Sequence, residues 1–246
     1  MKIQNLLKRN WFAILYFNFK MLPFRQAVML PFDFYGKMRF RSTKGKVIIN
    51  TPISRGCFQI GLVESEIFHK EQTVISLDGT MMFNGKPFCM GCGSLLEIKK
   101  EATVEFGNDV LFAPRSKVIV SKRIQLGSYV RVSWESQIFD SNFHYTRNVQ
   151  TGEIAPIDKD VIIGNNVWIG NRVTINKGTV LPDHTIVASN SLCNKDYSKA
   201  GKQYITLAGM PAKIVAEGNE RIFETLEPEL IEELSSQQNK ICDLYI

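Results

Sequence analysis

The chain has 246 residues, a hydrophobic fraction of 44% and a net charge of +6, which is ample material for one elongated core or two small ones. Five cysteines, an odd number in a chain this long, argue against a disulfide framework and for a reducing, cytoplasmic setting. The charge is uneven: residues 1–46 hold ten Lys and Arg against the single acid Asp33, a balance of +9, so the remainder sums to −3.

That basic stretch, residues 1–46, is rich in aromatics: Trp11, Phe12, Tyr16, Phe17, Phe19, Phe24, Phe32, Phe34 and Tyr35. Its apolar run Trp11–Phe19 is broken by Asn18 and closed by Lys20. It falls far short of the roughly 20 residues that span a bilayer, and no small-residue cleavage site of a secretory signal follows it. Two readings stay open. One is a helical or extended cap over the first coil of the fold, with its charges solvated. The other is a peripheral segment resting on anionic lipid at the inner membrane face. Nucleic acid is set aside as a partner, because no binding motif accompanies the charge.

Residues 47–208 carry a beat of six. From Ile163 an aliphatic residue recurs at Ile169, Ile175, Leu181 and Val187. Two places before each beat stands a small or β-branched residue: Val161, Val167, Val173, Thr179 and Thr185, with Ser191 continuing the series. A period of six fits neither a helix nor a lone alternating strand; it fits a solenoid of short strands and tight corners. The expected fold is therefore all-β, a parallel β-helix with three faces per coil. The beat runs back through Leu126, Val132 and Ile138, and through Phe112 and Val118 after a shift of two residues, where a bulge or longer corner is expected. Before about residue 100 it decays, although Val47–Ile49, Ile60–Gly61 and Val74–Leu77 still read as strands. Cys89 and Cys92 form a C-x-x-C without a second pair or nearby histidine, so no metal is expected there and inward-facing coil residues are the simpler reading.

Residues 140–156 interrupt the solenoid with a long loop that holds His144, one of only three histidines. Long loops in compact domains are usually functional. In the tail, 209–246, the beat is gone and acids accumulate. Pro228, flanked by Glu227 and Glu229, suits the start of a helix, and two short helices split there are expected to cap the solenoid.

The segment from Asp140 to Lys213 resembles the hexapeptide-repeat acetyltransferases, in particular the sugar and polysaccharide O-acetyltransferases similar to maltose and galactoside acetyltransferase. The His144 loop, Ile163-Gly-Asn-Asn-Val-Trp-Ile-Gly170, Ala188-Ser-Asn-Ser191, Asn194-Lys-Asp196 and Gly209-Met-Pro-Ala-Lys213 carry the resemblance. It implies a left-handed coil and direct acetyl transfer from acetyl-coenzyme A to a hydroxyl, without a covalent enzyme intermediate or a metal. Attack by an alcohol on a thioester needs a base near neutrality, and histidine is the side chain suited to that; His144 is the candidate general base. Asp140 either orients the other ring nitrogen of His144 or is a corner aspartate that bonds its own backbone. His184, in the turn Pro182-Asp-His, reads as an exposed corner residue. The three histidines, at 69, 144 and 184, lack the spacing of the zinc sites built on this fold.

For the coenzyme, the resemblance implies Trp168, Gly170 and Asn171 along the pantetheine groove, and Ser189 with its backbone on the pantetheine arm. It implies Asn194 and Lys195 near the nucleotide end, and Lys213 on the adenosine phosphate. An arginine expected three residues after Lys213 is replaced by Ala216, with Arg221 as the candidate substitute. Asn142 and Trp134 are assigned to the acceptor. The family packs as a homotrimer with coenzyme clefts between subunits. The acceptor implied is a sugar of a surface glycan such as capsule, lipopolysaccharide or exopolysaccharide, and the basic aromatic amino terminus suggests a lipid-linked one. The alternatives are an N-acetyltransferase acting on an amino sugar and a non-catalytic β-helix scaffold.

Overall fold

The computed structural model describes residues 9–63, 71–224 and 226–232, and in it the chain winds as a parallel β-helix with three faces. Each coil crosses a first, a second and a third face, with a corner between each, and returns one layer further on. The three faces hold nine, seven and six strands. Side chains alternate along each strand, so that Ile124 and Leu126 are buried while Arg123 and Gln125 look outward.

The coil varies in gauge. In the carboxy-terminal half Ile162 pairs with Val180, Trp168 with Ile186 and Thr174 with Leu192, each eighteen residues on. Three hexapeptides therefore make one turn. Further back Phe88 pairs with Val110 and Leu95 with Lys117, each twenty-two residues on. The extra residues lie largely within strands. Lys117–Val120 has four residues with Val118 and Val120 both buried, whereas Thr174–Ile175 has two. The two-residue shift in the beat is thus a longer face rather than a bulge.

The interior follows the gauge. The wide coils are filled by phenylalanines, all fully buried: Phe32, Phe58, Phe83, Phe88, Phe106 and Phe112. Their ring centroids lie 5.0 Å apart for Phe32–Phe58, 4.2 Å for Phe58–Phe83 and 4.6 Å for Phe88–Phe106. The narrow coils are filled by Ile163, Ile169, Ile175, Leu181 and Val187. The small position two places before each of these is buried at the corner. Where it is threonine, the hydroxyl donates to a corner carbonyl, Thr179 to Asn176 and Thr185 to Pro182, each at 2.7 Å. The tight turn itself needs a left-handed residue, supplied every sixth place by Asn166, Arg172, Gly178, His184 and Asn190. Of the C-x-x-C cysteines, Cys92 is buried but Cys89 faces outward, so only one matches the expected inward direction.

A helix, Trp11–Met21, covers the amino-terminal end. Asn10 caps it by accepting from the Ala13 amide, 3.1 Å. Its inner face buries Ala13, Ile14, Phe17 and Asn18. Phe17 meets Phe32 and Phe34 edge-on at 5.0 and 5.2 Å. Asn18 is fully buried and satisfied, its amide donating to Ile14 and Phe32 carbonyls and its oxygen accepting from the Phe32 amide. The first coil already begins at Phe32–Phe34 and Met38–Thr43, inside the stretch that reads as an arm. The outer surface of the helix stays open: Phe12 is 79% exposed and Phe24, just beyond it, 73%.

The other end differs from the expected pair of capping helices. Ala212–Glu217 folds back antiparallel on Ile205–Gly209, closing the first face with a hairpin. Residues 220–224 then lie against that face. Glu224 and Asp109 flank the buried Arg131, at 3.1 and 2.8 Å, and the Phe223 ring packs on Tyr129. A short helix over 227–232 follows, with Pro228 in its first turn; residues 233–246 lie outside the description, as does His69.

Candidate active site

The loop holding His144 leaves the corner between the second and third faces, after the strand Gln137–Phe139. Antiparallel bridges Ser141–Asp158 and Arg147–Ile154 shape it as an irregular hairpin. Its base is fixed from below by Lys177, whose ammonium donates to the Ile157 carbonyl at 3.2 Å, and from above by Lys122, paired with Asp160 at 2.8 Å. Asp140 bonds to backbone, but to that of the preceding coil rather than to its own. Its fully buried carboxylate accepts the Ser121 and Lys122 amides, both at 2.7 Å, in the corner of the preceding coil. Burial holds its carboxyl above the usual carboxylate range although those amides act the other way. Both oxygens are thus committed to backbone, and His144 stands at the exposed surface.

The residue that presents His144 is Phe143. Its φ of 62° is left-handed, a strained choice for a bulky residue. The strain is offset locally: the Phe143 amide donates to the Ser141 hydroxyl at 3.0 Å, and its ring meets Phe139 edge-on at 5.7 Å. Lys99, two coils earlier at the same corner, places its ammonium 4.9 Å from the Phe143 ring centre. Sequence reasoning singled out neither residue. The signal was the recurrence of lysine after successive second-face strands, and it shows only once the unequal coil lengths are known.

The expected site residues fall into two groups. At the second corner stand His144, Asn142 and Asp140, with Asn194 and Lys195 further along. Lys195 lies over the Tyr197 ring at 5.3 Å and shares a cleft of about 270 Å³ with Lys213. At the first corner stand Trp134, Gly170, Asn171 and Ser189, with Trp168 beside them on the first face. There the Ser189 hydroxyl bonds to the Asn171 side-chain oxygen, and the Trp168 indole donates to Ser133 at 3.3 Å. Gly170 has a steric reason: a Cβ there would stand 2.7 Å from the Ser189 nitrogen. The second face separates the two groups within one protomer, so Trp134 and Trp168 do not join His144 in this chain alone. Arg221 is engaged elsewhere, bonded to Glu224 and lying 5.6 Å over Trp168, and so is not a free phosphate clamp. His184 stacks on Tyr204 at 4.2 Å in its corner. Among the described residues no three His, Cys, Asp or Glu side chains gather as a metal site, and no helix is long and apolar enough to cross a membrane.

The sequence comparisons bear out the resemblance to the sugar and polysaccharide O-acetyltransferases. No family model matches the chain. It is 36% identical to the galactoside O-acetyltransferase of Escherichia coli K12 over 61 residues, a quarter (25%) of this chain and 28% of that protein. It is 25% identical to WbbJ of the same organism, whose name assigns it to lipopolysaccharide biosynthesis as an O-acetyl transferase, over 58% of this chain and 74% of that one. Against the polysialic acid O-acetyltransferase of Neisseria meningitidis it is 32% identical over 34% of this chain and 35% of the relative. Among solved structures, the polysialic-acid-specific acetyltransferase NeuO aligns over 77% of this chain and 78% of its own with 17% identity and a TM-score of 0.48.

Proposed function

We propose that the protein is an acetyl-coenzyme-A-dependent O-acetyltransferase acting on a sugar hydroxyl in surface-glycan biosynthesis, with the left-handed coil of the family it resembles. The observation that carries the reading is the placement of His144. It sits exposed, on a strained turn pinned by Phe139 and Lys99, at the corner that also holds the Lys195–Lys213 cleft. An imidazole there takes the acceptor proton as the hydroxyl oxygen attacks the thioester carbonyl, forming the C–O bond. As the C–S bond breaks, the imidazolium returns that proton to the departing thiolate, so the base is regenerated. Asp140 is a positioning residue that locks the root of the loop to the coil above. Lys195 and Lys213 suit the phosphates of the coenzyme.

The split of the remaining candidates supports a homotrimer. Threefold packing would bring Trp168, Gly170, Asn171, Ser189 and Trp134 at the first corner of one copy against the second corner of its neighbour. Acetyl-coenzyme A then lies between copies, with Asn142 beside the acceptor. The test is release of free thiol from acetyl-coenzyme A in the presence of pooled sugars. His144→Ala should lower the rate by at least about a hundredfold while the fold and assembly persist. Near wild-type turnover would remove His144 from the mechanism.

The outer surface of the amino-terminal helix supports an acceptor presented at an anionic membrane. Trp11, Phe12, Leu15 and Phe19 are exposed there, and Phe24 just beyond its end. The single acid of the first 46 residues, Asp33, is buried against Arg9, leaving Lys20, Arg25, Lys37, Arg39, Arg41, Lys44 and Lys46 as exposed cations among the described residues. Anionic vesicles should sediment the protein, and salt should weaken that binding as the Debye length shortens. A protein that never sediments with them would leave the helix as a cap alone.

A further inference from the structure

The corner that bears His144 is one level of a column. At successive levels it presents Lys44-Gly45, Asp78-Gly79, Lys99-Lys100 and Ser121-Lys122, then the loop. Backbone ladders stack these levels: the Lys44 amide donates to Leu77, Asp78 to Ile98 and Lys99 to Val120, at 3.0, 2.9 and 2.9 Å. The first three levels, spanning about 10 Å at the usual strand spacing, border a cleft of about 470 Å³ lined by Lys44, Asp78, Lys99 and Lys100. The cleft reaches the loop through Lys99, whose ammonium lies against Phe143, the residue before the candidate base.

The electrostatics of this cleft are unlike those of the levels below it. Lys122 is paired with Asp160, and Lys177 is spent on a loop carbonyl. Lys44 and Lys99 have no ion pair among the described residues, and Lys100 reaches only Glu101, at 4.0 Å with both side chains almost fully in water. The one carboxylate in the lining, Asp78, is held by the Ser42 hydroxyl at 2.6 Å. Three ammonium groups around one opening repel one another in the free protein, and an anion relieves that repulsion.

We propose that this cleft binds a negatively charged group of the acceptor, a glycan carboxylate or phosphate, on the amino-terminal side of His144. Lys44, Lys99 and Lys100 hold the anion while Asp78 accepts a sugar hydroxyl beside it. The Lys195–Lys213 cleft lies beyond the loop on the carboxy-terminal side, so donor and acceptor anions meet different lysines. The inference takes the word acceptor from the acetyltransferase reading, but binding can be measured without turnover.

The full-length protein is titrated by calorimetry with an oligogalacturonate, with a sugar 1-phosphate, and with a neutral oligogalactose of the same length as the uronate. At least one anionic probe should bind about tenfold or more tightly than the neutral one, as expected for one charged hydrogen bond or more. Lys44→Ala combined with Lys100→Ala, which touch neither loop nor donor cleft, should abolish that margin and leave the acetyl-coenzyme A dissociation constant unchanged. Lys99→Ala should do the same, with an added effect on the loop. Equal binding of neutral and anionic probes, or an unchanged margin in the double variant, overturns the proposal. So does a parallel loss of acetyl-coenzyme A affinity, which would assign the cleft to the donor. A protein that binds the anionic probe as described but releases no thiol keeps this site and loses the acetyltransferase reading instead.

Discussion

The two halves of the solenoid solve one packing problem with different residues. In the eighteen-residue coils each side of the triangle is one hexapeptide with a strand of two or three residues, and one aliphatic side chain per strand fills the centre. In the earlier, longer coils the strands are longer, the cross-section is wider, and stacked phenylalanines fill it. A fixed gauge leaves a fixed repeat in the sequence; a variable gauge erases the repeat while keeping the fold. The wide half gives up periodicity and gains aromatic contacts, each worth about 0.5–1.5 kcal/mol beyond area burial.

The comparison can be broken at its narrowest point. Ile169→Asp places a carboxylate in an interior that has no partner for it. The protein should fail to fold, seen as loss of the β-sheet circular dichroism signal; a folded variant would mean the narrow interior is wetter than its packing suggests. Phe83→Ala tests the wide half. Phe83 touches Phe32, Phe58, Phe88 and Phe106, so truncation should cost about 3–5 kcal/mol in chemical denaturation. A loss under about 1 kcal/mol would show that the wide coils collapse around the gap.

A smaller effect concerns the corners of the narrow half. Lys195→Ala and Lys213→Ala should raise the Michaelis constant for acetyl-coenzyme A more than that for the acceptor, because each removes a charge remote from the reacting carbonyl. Equal effects on both substrates would reject them as coenzyme contacts.

The smallest effect lies where the tail meets the first face. Burial pushes the Glu224 carboxyl up, but hydrogen bonds from Arg221, its own backbone and Arg131 outweigh this and bring it down to about 2 from an ordinary 4.5. A depressed carboxylate holds its contact at full strength above the ordinary value and loses it as pH falls through about 2. Hydrogen exchange of residues 220–224 should therefore stay slow at pH 5 and quicken steeply only below the ordinary range. Glu224→Gln at neutral pH should quicken it as well, lowering Tm by no more than about 4 °C because the pair is half exposed. Exchange that is already fast at pH 7 would mean that the tail is not held by these charges.

How much of this was legible follows from the same contrast. The narrow coils were readable because inward Ile163, Ile169 and Ile175 recur at one spacing. The first coils were not, because Phe32, Phe58 and Phe83 are set apart by unequal strands and corners. The loop and its histidine stood out as a break in a strict pattern. The locking of Asp140 to residues 121 and 122 was hidden, since it joins levels of the stack whose register no local pattern reveals. The placement of Trp168 and Ser189 on a different corner from His144 follows from counting faces, but only when every coil before them is counted correctly. The tail was legible only in part: Glu227, Pro228 and Glu229 do open a helix, whereas the stretch just before them is not helical, and its Glu224 serves a buried arginine ninety-three positions earlier.

The closing hairpin has a consequence for solubility. A parallel stack offers its last strands as a template, and nothing in the repeat itself says where to stop. At one end the helix Trp11–Met21 lies over the opening, and at the other the reversed strand Ala212–Glu217 presents the wrong polarity to any incoming parallel strand. The first face thus carries its own full stop, and the repeat that built it cannot be continued there by a further parallel strand.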